Sequence, residues 1–214
     1  MKDRGKNKSI FIEGFEQFID SELVEIPFPF MREMEKDCRS RKVPVVSMAT
    51  GAVIAQLIKL IQPKKILEIG TGPGFSLLWM LSALESGQIV SLDRNQELLE
   101  EAQKYISKVK KKEVQVELLH KYAIEYLNQN LQQLNEFDLV FVDCDKILYP
   151  DILKILMEHY NNRFLFDNVL WHGRISDPAN TLPSDNAVRQ FWTQLKNGQR
   201  KWTLFPSGDG LLLS

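Results

Sequence analysis

The sequence predicts an α/β protein: a doubly wound sheet of seven strands, mostly parallel, ending in an antiparallel C-terminal hairpin and preceded by N-terminal helices. Three observations carry this prediction. Short apolar runs alternate with helix-length segments from Lys64 to Lys196, as expected of a parallel sheet covered on both faces. A glycine-rich turn, Gly70-Thr71-Gly72-Pro73-Gly74, joins the first run to the first helix of that alternation. Two later runs end in acid, at Asp143 and Asp167, and the C-terminal strand ends of an open α/β sheet are where ligands bind.

The elements follow in order. Ile10, Phe11, Phe15, Phe18, Ile19 and Leu23 recur at helical spacing and predict an amphipathic helix over 9–24, ended by Pro27 and Pro29. A second helix covers Met31 to Arg41 and stops before Pro44. A third opens at Ser47 or Thr50 and runs through Ala52, Ile54, Leu57, Ile58 and Ile61 to Pro63. Strands are then expected at Lys65–Gly70, Gln88–Asp93, Val114–Leu119, Phe137–Asp143 and Arg163–Asp167. Between and after them come helices at Phe75–Glu85, Gln96–Lys108, Ala123–Leu134, Leu148–Tyr160 and Asn186–Leu195. Arg200–Phe205 and Leu211–Leu213 flank Pro206-Ser-Gly-Asp-Gly210 and read as a hairpin at the sheet edge. No repeat or long linker divides the chain, so 1–214 is read as one domain, a helical cap at 1–62 on a Rossmann-like core at 63–214.

Bulk composition narrows the function classes. A chain of 214 residues that is 44% hydrophobic and 26% charged can bury a substantial core, which excludes wholesale disorder. A net charge of -1 gives no global attraction to nucleic acid, and Lys2, Arg4, Lys6 and Lys8 near the start read as a solvated tail. Cys38 and Cys144 match no zinc spacing, nor do His120, His159 and His172. No run of about 18 apolar residues is present, so the expectation is a cytoplasmic protein that does not span a membrane.

Chemistry concentrates at the strand ends. Gly70, Gly72 and Gly74 lack the side chains that would keep a ligand from the backbone, and Asp93, closing the next strand, can accept from a ribose diol. Dehydrogenases share both features. Glu68 separates the two classes, because an acid there would repel a pyrophosphate but can face the cationic amino-acid end of S-adenosylmethionine. Asp143, Asp167 and Asn168, on two neighbouring strands about 5 Å apart, form a hard-oxygen set suited to Mg²⁺ or a similar cation. Each could instead cap a helix. Lys146, three residues beyond Asp143, would feel such a cation, which favours the neutral amine of a general base.

On these residues the chain resembles a family: the class I, metal-dependent S-adenosylmethionine O-methyltransferases of the catechol and caffeoyl-CoA type, bacterial members included. The matching pieces are Leu67-Glu-Ile-Gly-Thr-Gly-Pro-Gly-Phe-Ser76, Phe137-Asp-Leu-Val-Phe-Val-Asp-Cys-Asp-Lys146 with Tyr149, Asp167-Asn-Val-Leu-Trp-His-Gly173 and Gly208-Asp-Gly-Leu211. The resemblance implies Asp143, Asp167 and Asn168 as metal ligands and Lys146 as base. Around the cofactor it implies Val46, Glu68, Gly70, Gly72, Gly74, Ser76, Asp93 and Asp143; Tyr122, in a segment that departs from the family, is a candidate either to stack on adenine or simply to pack. The chain departs from the family pattern at His120-Lys-Tyr-Ala123, at Tyr160-Asn-Asn-Arg163 and at Cys144, where alanine is common.

The activity so implied is metal-assisted methylation of a vicinal-hydroxyl aromatic, catechol-like, with Trp171, His172 and the N-terminal helices around the acceptor. A second reading is methylation of 5-hydroxyuridine in tRNA, for which Arg39, Arg41, Lys42 and the run Lys108–Lys112 would meet phosphates. A third is a non-catalytic S-adenosylmethionine-binding module. Family members often form homodimers, and the apolar N-terminal helix is the expected interface.

Overall fold

Strands built from continuous apolar runs need cover on both faces, and here helices supply it. The computed structural model describes residues 14–214. Strands β1 (Lys65–Ile69), β2 (Gly87–Asp93), β3 (Val114–His120), β4 (Leu139–Val142), β5 (Arg163–Phe166), β6 (Thr203–Phe205) and β7 (Leu211–Leu213) form one sheet ordered β3-β2-β1-β4-β5-β7-β6. The first five are parallel; β7 pairs antiparallel with both β5 and β6, which puts the hairpin at the edge. The helices are α1 (Phe15–Phe18), α2 (Met31–Ser40), α3 (Met48–Ile61), α4 (Phe75–Ala83), α5 (Gln96–Ile106), α6 (Ala123–Gln129), α7 (Tyr149–His159) and α8 (Pro183–Asn197).

Successive strand residues point to opposite faces, and the two halves of the core follow that alternation. Ile66, Phe141 and Leu165 join the buried cluster of α2, α3 and α4; Leu67, Ile69, Val140, Val142, Phe164 and Phe166 join that of α7 and α8. Met31, Met34 and Cys38 of α2 and Ile54 and Ile58 of α3 are buried in the first cluster, so these helices share a core with the sheet. Because α4 follows β1 on one face and α7 follows neighbouring β4 on the other, the connections diverge and leave a crevice at the C-terminal ends of β1 and β4.

Four differences from the sequence reading stand out, two of them with local causes. The helix expected over 9–24 is, in its described part, α1 followed by one wide turn at Ile19–Leu23, with Phe18 and Leu23 exposed; residues 9–13 and the basic tail lie outside the described residues. Helix α6 stops at Gln129 rather than Leu134, where Asn130 turns its side-chain amide back onto the Tyr126 carbonyl (2.7 Å) and competes with the helical ladder. Helix α8 begins at Pro183, three residues early, because Asp185 accepts from the Leu182 amide and Pro183 tolerates the first turn. A kinked 3₁₀ segment at Trp171–Ser176, with left-handed backbone at His172 and Gly173, was not foreseen.

Candidate active site

The glycine turn brings β1 against β4. Gly70 has φ +104°, and a β-carbon there would fall 2.0 Å from the Asp143 carbonyl oxygen, so only glycine lets Asp143 sit at this height. Gly72 is open on its Cα side and donates its N–H to Asp93 Oδ2 (2.8 Å), while Asp93 Oδ1 accepts from Asn95 (2.8 Å). Gly74 serves packing: its Cα faces Ala102 of α5, where a β-carbon would come within 3.0 Å.

Glu68 lies beneath this turn rather than on the cavity surface. It is fully buried on the α4 face of β1, paired in register with Ser91. Ser76 Oγ donates to Glu68 Oε1 (2.6 Å), Ser91 Oγ bonds Oε2, and Ser91 Oγ lies 2.6 Å from Thr71 Oγ1. Burial pushes the Glu68 carboxyl up to about 8, against the opposing pull of the two serine hydroxyls. Thr71 and Ser76 line the cavity; Glu68 stands one layer behind them, bonded directly to Ser76 and to Thr71 only by way of Ser91.

At the end of β4 the chain makes one tight turn, Lys146–Leu148, capped by Asp145 accepting from Ile147 (3.2 Å), and runs into α7. The turn buries Lys146, whose Nζ lies 2.8 Å from Asp143 Oδ1 and 2.8 Å from Tyr149 Oη. Tyr149 in turn donates to the Asp167 carbonyl (2.7 Å), and burial raises its phenol well above the ordinary value, so it remains a donor. Sequence reasoning gave Tyr149 no role, although its three-residue spacing from Lys146 places both on one side of a helical turn.

Register sets Asp167 beside Asp143, since Val142 pairs with Phe166 and the Asp167 amide donates to the Val142 carbonyl (3.0 Å). Asp167 is buried, its Oδ1 has no hydrogen-bond partner, and burial together with the Asp143 charge raises its carboxyl. Asn168 follows in the left-handed conformation (φ +54°), which asparagine tolerates. Asp209, from the β6–β7 turn, accepts the His172 amide through Oδ1, and burial raises it as well. The sequence reading quoted it only within the matching piece Gly208–Leu211 and gave it no role, because a Gly-Asp-Gly turn reads as local turn chemistry.

Among the described residues no three His, Cys, Asp or Glu side chains converge as a metal-ligand group; the candidate set is two carboxylates and an amide. Its chemistry nevertheless suits a hard divalent cation. Asp143, Asp167 and Asp209 face one lysine, and a buried, unpartnered carboxylate oxygen is costly until a cation meets it.

A cavity of about 780 Å³ joins the two halves. Val46, Gly70, Gly72, Ser76, Asp93 and Tyr122 line one end, and Asp143, Lys146, Asn168, Trp171 and His172 the other. Of the expected residues, Glu68, Gly74 and Asp167 stand behind the wall. Tyr122 is 62% exposed at the rim. Among the described residues, the N-terminal part contributes Val43–Val46, the link between α2 and α3, and no residue of α1, α2 or α3. Cys144 also lines the cavity, but burial pushes its thiol up to about 12, so it is not a thiolate nucleophile.

Three of the seven basic residues expected to meet phosphates have polar partners within the fold. Arg39 pairs with Glu35, Arg41 with Asp37 and Glu101 (both 2.7 Å), and Lys111 donates to the Leu81 and Ser82 carbonyls. No helix among the described residues is long and apolar enough to cross a membrane.

Comparison with known proteins identifies the family and the fold. The model of the O-methyltransferase family matches residues 26–214. A catechol O-methyltransferase of Niastella koreensis is 30% identical over 155 residues, covering 70% of each chain. An O-methyltransferase from Bacillus cereus, solved in complex with SAH, superposes with a TM-score of 0.77 at 23% identity, covering 92% of this chain and 94% of that one. An O-methyltransferase involved in tomaymycin synthesis in Streptomyces achromogenes, solved with SAM, gives 0.73 at 23% identity, covering 92% and 93%. At these identities the two structures show a shared fold.

Proposed function

The chain belongs to the O-methyltransferase family, and we propose that it methylates one hydroxyl of a small aromatic bearing two adjacent hydroxyls, using S-adenosylmethionine and a divalent cation such as Mg²⁺. The observation that carries this reading is the pairing of Asp143 with Lys146 at one end of a cavity, backed by Asp167 behind the wall, while the glycine turn and Asp93 form the other end. The relative named a catechol O-methyltransferase and the SAH- and SAM-bound neighbours support it.

In this reading Gly70, Gly72 and Ser76 receive the amino-acid portion of S-adenosylmethionine, Asp93 accepts from its ribose, and Val46 and Tyr122 flank its base. Asp143, Asp167 and Asn168 would hold the cation, which supplies a Lewis acid that makes an acceptor hydroxyl more acidic. Lys146 Nζ, steadied by Tyr149 and adjacent to Asp143, takes the hydroxyl proton. The acceptor oxygen then forms a bond to the sulfonium methyl as the carbon–sulfur bond breaks, leaving a methyl ether and S-adenosylhomocysteine. Holding both reactants in one cavity contributes much of the acceleration.

The test is transfer of labelled methyl from S-adenosylmethionine to a catechol panel and to bulk tRNA, with and without Mg²⁺. Cation-dependent labelling of a catechol, lost in Asp143→Ala and Lys146→Ala, is the expected result. Labelling of tRNA alone would move the acceptor to a nucleoside, and cofactor binding with no transfer to any acceptor would reduce the chain to a binding module.

A further inference from the structure

After β5 the chain leaves the sheet through Trp171 and His172, both in the left-handed conformation (φ +50° and +53°), with their rings stacked at 5.5 Å and 30°. A tryptophan does not hold that backbone conformation unless its surroundings impose it. Here the surroundings converge on Asp185, a fully buried carboxylate in the first turn of α8. Its Oδ1 accepts Trp171 Nε1–H (2.9 Å) and Arg174 Nε–H (2.8 Å); its Oδ2 accepts Arg174 Nη2 (2.7 Å) and the Leu182 amide (3.0 Å). Arg189 adds bonds to the carbonyls of Arg174, Ile175, Asp177 and Asn180, tying the same segment to α8. A half-buried indole could find water for its N–H. A bond to a buried, charge-paired carboxylate does something more: it fixes which way the ring faces, at the edge of the cavity end that holds Lys146 and Asn168.

We propose that Asp185 is a positioning residue for the methyl acceptor: by gripping the Trp171 indole N–H it presents the ring as a rigid aromatic wall against which a planar hydroxylated substrate docks. The inference rests on the reading that this end of the cavity takes the acceptor. Three variants test it: Trp171→Phe, which keeps the Asp185–Arg174 pair and removes only the N–H and one ring; Asp185→Asn; and the double variant. With 3,4-dihydroxybenzoate as the probe, each single change should raise acceptor KM about three- to tenfold, the worth of one aromatic contact. The same changes should leave kcat within about twofold and SAH affinity unaltered, and the double variant should be no worse than the poorer single. In protein labelled with 5-fluorotryptophan, the Trp171 resonance, assigned by its loss in Trp171→Phe, should shift with the probe and broaden in Asp185→Asn. An unmoved resonance under saturating probe, an unchanged KM or additive effects would overturn the proposal even if catechols are methylated. SAH binding without transfer to any catechol would instead overturn the functional reading, and this proposal with it.

Discussion

Replacing Glu68 by glutamine removes one titrating carboxyl from the interior while keeping its shape. In the fold burial holds that carboxyl up to about 8, against an ordinary value of 4.5. At 1.36 kcal/mol per pH interval, the gap corresponds to a ceiling of about 5 kcal/mol. The sign follows from proton counts. Between 4.5 and about 8 the folded chain keeps a proton that the unfolded chain has lost, so stability declines as pH rises through that window and levels off beyond it. Glutamine cannot titrate, and its amide can bond Ser76 and Ser91 because both hydroxyls rotate. Urea midpoints of wild type and Glu68→Gln from pH 5 to 9, at constant slope, isolate this one group. The variant should gain on wild type by several kcal/mol as pH rises from 5 to 8, and its SAH affinity at pH 7 should stay within about threefold. A stability difference that does not change with pH, together with a tenfold or greater loss of SAH affinity, would refute the reasoning. Glu68 would then be an ionised carboxylate acting on the cofactor's ammonium.

Lys146→Ala should lower kcat by about 10²- to 10⁴-fold with SAH affinity intact by calorimetry, and Lys146→Arg should not restore it, because a guanidinium does not give up its proton. Mg²⁺ should raise the thermal midpoint of wild type by mass action but not that of Asp167→Ala, and chelation should abolish transfer. Gly70→Ala, at φ +104° and with its new carbon 2.0 Å from the Asp143 carbonyl, should cost on the order of 1–3 kcal/mol or more in denaturant titrations and weaken SAH binding. Tyr149→Phe strands Lys146 and the Asp167 carbonyl, so a loss of about 1–3 kcal/mol in the same titration and a lower kcat are expected.

Much of the architecture was legible because it rests on local period. Apolar runs at Lys65–Gly70 and Phe137–Asp143 had to be covered strands, the glycines at 70–74 had to be a strand-to-helix turn, and the hairpin at 203–213 announced itself by its turn residues. Less legible was whatever depends on competition at element ends, such as the arrest of α6 by Asn130 or the early start of α8 on Asp185.

The family, the fold and the oxygen-rich strand ends are thus written in neighbours along the chain, because strand period and strand-end position depend only on spacing. What the tertiary structure decided is the depth and direction of each side chain. Sequence put Glu68 two residues from a glycine turn, and packing buried it under two serines, out of the cavity's wall. Sequence put Trp171 after the Asp-Asn pair, and only the folding back of α8 brought a buried carboxylate to its indole. Register between β4 and β5 set Asp143 beside Asp167, and the β6–β7 turn added Asp209 from the far end of the chain. Charges that are remote in sequence shift one another only once burial removes the water between them, and that is a property of the fold alone.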